Sequence, residues 1–209
     1  MINLIDMFLH LDKYIGAMIH HYGLFTYLIL FLVIFAETGL VFFTFFPGDT
    51  LLFIAGAFAG VGAINIFLLF FILTAAAILG DNVNYSIGKY FGLLMMDKHW
   101  VKEKNIIRTR RFFDRNGGKT IIFARFIPII RSFAPFVAGI SRMNYARFFG
   151  FNVAGAILWT AIMLALGYFF GSVPFVKNNF SWIIIGIVII SWIPPIVAFF
   201  RSRRRKETP

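Results

Sequence analysis

Two acids and two arginines stand in stretches that are otherwise apolar, and their types are complementary: Glu37 and Asp49 in the first half of the chain, Arg125 and Arg131 in the second. From Leu24 to Leu94 the charges are Glu37, Asp49, Asp81 and Lys89, and from Thr120 to Phe200 they are Arg125, Arg131, Arg142, Arg147 and Lys177. A charge at the centre of a bilayer costs about 2.5–3.5 kcal/mol even on the lenient insertion scale, so the two acids and two arginines together cost on the order of 10 kcal/mol if unpaired. Opposite charges facing one another across a wet interior would offset that cost. A carboxyl group withdrawn from water binds a proton more readily, whereas arginine stays charged in essentially any protein environment. Glu37 and Asp49 are therefore candidates for proton coupling. Arg125 and Arg131, whose planar forks suit bidentate contacts, are candidates for holding a phosphate-bearing head group.

Each candidate has a plainer reading beside it. Glu37 is followed by Thr38-Gly39 and could sit at a helix end. Asp49 follows Pro47-Gly48 and could cap a helix over Thr50–Gly60. Arg125 lies six residues past Lys119 and could snorkel to the interface. Asp81 is a third candidate acid for proton coupling, on one helix face with Tyr85, Gly88 and Gly92. Glycines on that face also permit close helix packing, so Asp81 stands equally as a packing hydrogen bond. The four histidines, His10, His20, His21 and His99, lie outside the apolar stretches. The sequence thus offers no intramembrane histidine as nucleophile or metal ligand. It contains no Gly-x-Ser-x-Gly, His-Glu-x-x-His or P-loop pattern, so no catalytic residue, metal site or cofactor is expected.

The elements that position these residues follow from composition. Of 209 residues, 60% are hydrophobic and 14% charged, which excludes an ordinary soluble domain. The net charge of +11 is concentrated: eight of the 20 basic residues fall between Lys98 and Lys119 and five between Arg201 and Lys206. Basic runs beside apolar stretches mark cytoplasmic loops of a membrane protein rather than a nucleic-acid groove. The basic loop also suits seating on anionic lipid. Residues 1–23 are amphipathic and too polar to span, and Asp6 and Asp12 interrupt any signal-peptide core, so an N-terminal amphipathic interfacial helix is expected.

Working back from a cytoplasmic tail at 201–209, residues 181–200 and 148–170 are spans. Segment 120–140 starts and ends on the cytoplasmic side and contains Pro128 and Pro135, so it reads as a re-entrant hairpin. Residues 64–90 form a further span, preceded by a hairpin over 24–60 broken at Pro47-Gly48 that opens from the opposite side. The organisation expected is therefore a first repeat over 24–94, a basic cytoplasmic loop over 95–119 and a second repeat over 120–200. Residues 77–92 align without gaps to 156–171, and Ala55-Gly56 mirrors Ala138-Gly139. The fold class is an all-α polytopic membrane protein, an inverted repeat of re-entrant hairpin plus transmembrane helix. Such a repeat with interrupted segments points to a transporter site near the midplane.

Several stretches in order carry a resemblance: Phe35-Ala36-Glu37-Thr38-Gly39, Phe46-Pro47-Gly48-Asp49-Thr50, Gly80-Asp81 through Tyr85 and Gly88, and Arg125-Phe126-Ile127-Pro128-Ile129-Ile130-Arg131 with Ala138-Gly139. This pattern resembles the bacterial DedA family of inner-membrane proteins over about residues 20–200. The resemblance implies two opposed re-entrant hairpins and proton-dependent transport of a phosphate-bearing lipid, undecaprenyl phosphate or phosphatidylethanolamine. It also implies essential roles for Glu37, Asp49, Arg125 and Arg131. The expected partners are membrane lipid and protons, with a homo-oligomer open. A proton-coupled small-cation antiporter using the same acids, with the arginines as counter-ions, is the alternative. An intramembrane lipid phosphatase is the third reading.

Overall fold

The computed structural model describes residues 11–40, 48–97 and 119–170. The chain break expected at Pro47, most of the basic loop, the span 181–200 and the tail 201–209 lie outside the described residues. Among the described residues the helices in order are α1, Leu11–Tyr22; α2, Phe25–Gly39; α3, Gly48–Gly60; α4, Ile66–Asp97; α5, Pro128–Ile140; and α6, Tyr145–Phe170. Residues 119–124 are also helical and lead through a turn at 125–127 into α5. Among the described residues there is no strand.

Local chemistry accounts for most boundaries. Gly23 takes φ +51°, a left-handed conformation that lets the chain turn between α1 and α2. Asn65 caps α4, its Oδ1 accepting from the amides of Phe67 and Leu68 at 2.9 and 3.1 Å. Asn144 accepts from the Arg147 amide at the start of α6. Pro128 opens α5, where its missing N–H costs nothing. Inside α5, Pro135 cannot donate to the carbonyl of Arg131 four residues earlier.

Length separates the helices into two kinds. Ile66–Phe91 within α4 and Tyr145–Phe170 are each 26 apolar residues long, about 39 Å at 1.5 Å per residue, and so can cross a hydrocarbon core of about 30 Å. Helices α2, α3 and α5 have 15, 13 and 13 residues and reach only about 20 Å, too short to cross alone. Helix α4 runs to Asp97, well past the expected end at 90, and α6 begins three residues before the expected start at 148.

Packing is sorted accordingly. Helix α3 is buried nearly all round, against α6 in particular, while α2 and α5 both pack on α4. The amphipathic α1 lies against α2 and α3 and buries Ile15. The main core joins Leu30, Ile34, Leu52, Ile54, Leu69, Leu73 and Trp159, and a smaller one gathers Ile121, Ala134, Ala138 and Phe148 around Tyr85. The outer surface carries Phe67, Phe71, Leu79, Phe123, Ile157, Leu158, Leu166 and Phe169 in the open. An apolar exterior of this extent is stable against lipid rather than water.

Glycines set the closest helix crossings. A Cβ on Gly80 would fall on Thr38 Oγ1, and one on Gly88 would fall on the Phe136 carbonyl. A Cβ on Gly139 would meet the Tyr85 carbonyl. On the other side of the molecule, Gly167 faces the Phe53 carbonyl and Gly56 the Leu164 carbonyl in the same way. Backbones that touch at these points bring the helix ends carrying Glu37, Asp49 and Arg131 into one layer.

Candidate functional site

Arg131 lies in the first turn of α5, and its guanidinium reaches two acids on two other helices. One nitrogen donates to Glu37 Oε1 on α2 at 2.5 Å, and another to Asp49 Oδ1 on α3 at 2.9 Å. The guanidinium carbon lies 4.3 Å from the centroid of the Trp159 ring on α6, within cation–π range. The indole Nε1–H of Trp159 in turn donates to Asp49 Oδ1 at 2.8 Å. Glu37 and Arg131 are buried, and the Asp49 side chain is the most open member at 18% exposed. Four helices therefore converge on one guanidinium.

A second cluster lies beside the first. Arg125, in the turn before α5, forms a buried ion pair with Asp81 on α4, both side chains 2% exposed. The same nitrogen donates to Asn152 Oδ1 on α6 at 2.5 Å, and Asn152 Nδ2 donates to the Ile78 carbonyl at 3.2 Å. Gly155 leaves room for the Arg125 stem, since a Cβ there would lie 3.0 Å from Arg125 Cδ. Arg125 Nε and Nη1 and Asp81 Oδ1 have no hydrogen-bond partner and are buried. Buried polar atoms left open in this way are costly, at about 1–3 kcal/mol each, unless another group arrives to use them.

The residues singled out from sequence thus come together, but in a different grouping from the simplest expectation. Arg125 and Arg131 do not share one site; each has its own carboxylate partner. Asp81 is the Arg125 counter-charge, a buried ion pair between α4 and the turn before α5. Arg125 is buried and paired and does not snorkel. Asp49 lies within the first turn of α3 with its carboxylate on Arg131 and Trp159, so its placement is set by tertiary contacts. Asn152 and Trp159 were not foreseen. For Asn152 the signal was present, as an amide within an apolar span. For Trp159 there was none.

The electrostatics have a direct consequence. Two arginines face three carboxylates, so the layer carries one excess negative charge when every group is ionised.

The model of the VTT domain matches residues 46–169, which includes Asp49, Asp81, Arg125, Arg131, Asn152 and Trp159. The chain is 43% identical over 206 residues to Protein DedA of Escherichia coli K12, covering 96% of this chain and 94% of that protein. It is 39% identical over 184 residues to an uncharacterised membrane protein of Mycobacterium tuberculosis, covering 85% and 81% of the two chains. It is 34% identical over 167 residues to the inner membrane protein YghB of E. coli K12, covering 78% and 76%. No solved structure matches the chain. With its apolar exterior, its paired intramembrane charges and these relatives, the chain belongs to the DedA family of VTT-domain membrane proteins.

Proposed function

We propose that this protein is a proton-coupled lipid transporter that moves a phosphate-bearing lipid, undecaprenyl phosphate or phosphatidylethanolamine, across the bacterial inner membrane, with its C-terminus in the cytoplasm. The observation that carries this reading is the buried layer in which Arg131 is held by Glu37 and Asp49 at the ends of helices too short to span, and Arg125 by Asp81 midway along α4. Expensive charge at interrupted helices is the arrangement expected of a substrate and ion site. Protonation of Glu37 or Asp49 frees Arg131 for the lipid phosphate, and deprotonation returns the guanidinium to its acids. Arg125, with its Nε and Nη1 open, offers the second anchor.

The short helices are read as limbs of two opposed re-entrant hairpins, 24–60 and 120–140, in an inverted repeat. Packing supports this. In the alignment of the two halves, Gly88 corresponds to Gly167, Tyr85 to Leu164, and Phe53-x-x-Gly56 to Phe136-x-x-Gly139. Gly88 lies on Phe136 as Gly167 lies on Phe53, and Gly139 lies on Tyr85 as Gly56 lies on Leu164. The second limb of each hairpin thus packs on the long helix of the other half in matching register. Two of the relatives compared above, that of M. tuberculosis and YghB, carry names of membrane proteins.

The test is a reconstituted vesicle assay with fluorescent phosphatidylethanolamine or polyprenyl phosphate and an imposed proton gradient. Arg131→Ala and Glu37→Gln are expected to abolish translocation while leaving membrane insertion and detergent solubility intact. Wild-type translocation in either variant, release of free phosphate, or cation-driven proton flux without lipid movement would overturn the assignment.

A further inference from the structure

Asn84 is fully buried on α4, and both of its amide protons are committed to main-chain carbonyls of other helices. Nδ2 donates to the Ser132 carbonyl on α5 at 2.7 Å and to the Thr38 carbonyl on α2 at 3.1 Å. Both partners are carbonyl oxygens, so the nitrogen and not the oxygen of the amide must face them. Thr38 is the residue after Glu37, and Ser132 is the residue after Arg131. One side-chain amide therefore bridges the backbones of the two residues next to the Glu37–Arg131 ion pair.

The neighbours of Asn84 on the same helix face explain how it reaches both. Gly80, one turn before it, is where the backbone of α4 meets Thr38 and Gly39, and Gly88, one turn after it, is where α4 meets Phe136 of α5. The pattern Gly80-x-x-x-Asn84-x-x-x-Gly88 places a contact with α2 at one end, a contact with α5 at the other and the bridging amide between. The Thr38 carbonyl lies in the last turn of α2, where helix geometry leaves it without an intrahelical donor. Asn84 supplies that donor. Its Oδ1 is buried with no partner, an open acceptor inside the same layer.

We propose that Asn84 is the positioning residue of the site: a latch that sets the spacing of Glu37 and Arg131 by holding α2 to α5, and that must release for the two to separate. This deepens the transport reading and rests on it for its purpose. The geometry of the latch stands apart from the identity of the cargo. When the ion pair opens to admit a ligand, α2 and α5 move apart only if at least one of the two Asn84 hydrogen bonds breaks, so the latch biases the site toward the closed arrangement seen here.

The chain contains no cysteine, which allows a direct measurement. Ser132→Cys places a thiol at a buried position on α5, and Leu69→Cys places one in the main apolar core as a control. Alkylation by N-ethylmaleimide is measured for each in native vesicles, with Asn84 intact and as Asn84→Ala. Loss of the latch is expected to raise the reaction rate at position 132 by roughly 2- to 13-fold, the shift that one net hydrogen bond carries, and to leave position 69 unchanged. No change at 132 overturns the proposal. Equal acceleration at both positions overturns it as well, because Asn84 would then hold the whole fold and not this gap. Asn84→Gln, which keeps the amide on a longer stem, is expected to fall between wild type and Asn84→Ala at position 132. The assay involves no lipid movement, so its failure leaves the transport reading standing, and failed transport leaves the latch measurable.

Discussion

The Arg125–Asp81 pair allows a prediction in which the two partners are unequal. Both side chains are 2% exposed, and among the described residues Asn152 is the one other group bonded to the guanidinium. Asp81→Leu leaves a guanidinium buried with no counter-charge, and a guanidinium cannot shed its proton. Removing one member of a buried pair costs about 3–5 kcal/mol, and this substitution should reach the upper part of that range. Arg125→Met leaves a carboxyl instead, which escapes by binding a proton, so its cost should fall at or below the lower end. In Asp81→Leu with Arg125→Met no charge is stranded. Replacing a buried ion pair by apolar side chains of similar size is often neutral or stabilising, so the double variant should be more stable than Asp81→Leu alone. For a chain of this size 1 kcal/mol corresponds to about 2–4 °C in Tm, giving a deficit of about 8–20 °C for Asp81→Leu. Recovery of most of that deficit is expected in the double variant. The assay is fluorescence-detected gel filtration after heating in detergent. Equal losses in the two single variants, or a double variant whose loss is their sum, would refute the reasoning, because it would mean the pair is not what compensates the burial.

Two further outcomes follow. Topology reporters fused after Gly60 and after Gly118 should report opposite sides of the membrane, and the same side for both would sink the inverted repeat. Gly167→Val puts a side chain onto the Phe53 carbonyl and should cost several kcal/mol of stability, about as much as Gly88→Val at the Phe136 carbonyl. Thermal stability of the two variants checks this, and a large difference between them would separate two contacts that matching halves should share.

The residues that carry the site were legible before the fold because their presence is costly. An acid or an arginine within an apolar run demands compensation, and that demand singles out Glu37, Asp49, Asp81, Arg125 and Arg131 without any knowledge of where they point. Helix punctuation was legible for a similar reason. Gly23, Asn65 and Pro128 act through their own backbone neighbours, within reach of a local reading. Asn152 and Trp159 escaped notice because an amide or an indole in an apolar helix does not name its partner. Each matters only through the partner brought to it from a distant part of the chain.

Pairing was the part that composition could not decide. Glu37 and Arg131, Asp49 and Arg131, and Asp81 and Arg125 are far apart in sequence, and any acid could in principle have met either arginine. The choice was made by backbone approach at Gly80, Gly88, Gly139 and Gly167, which sets which helix ends share a layer. Asn84 shows the division most clearly. As a sequence position it is one polar residue beside Asp81, with no readable role. In the structure its two amide protons meet two carbonyls from helices that only tertiary packing brings together. By itself, the sequence determined that this chain lives in a membrane and that a few charges there must be compensated, because burial energies depend on residue type. Which charge compensates which, and what holds them at that spacing, was decided by tertiary structure, because directional contacts act over about 3 Å and the chain must fold before those distances exist.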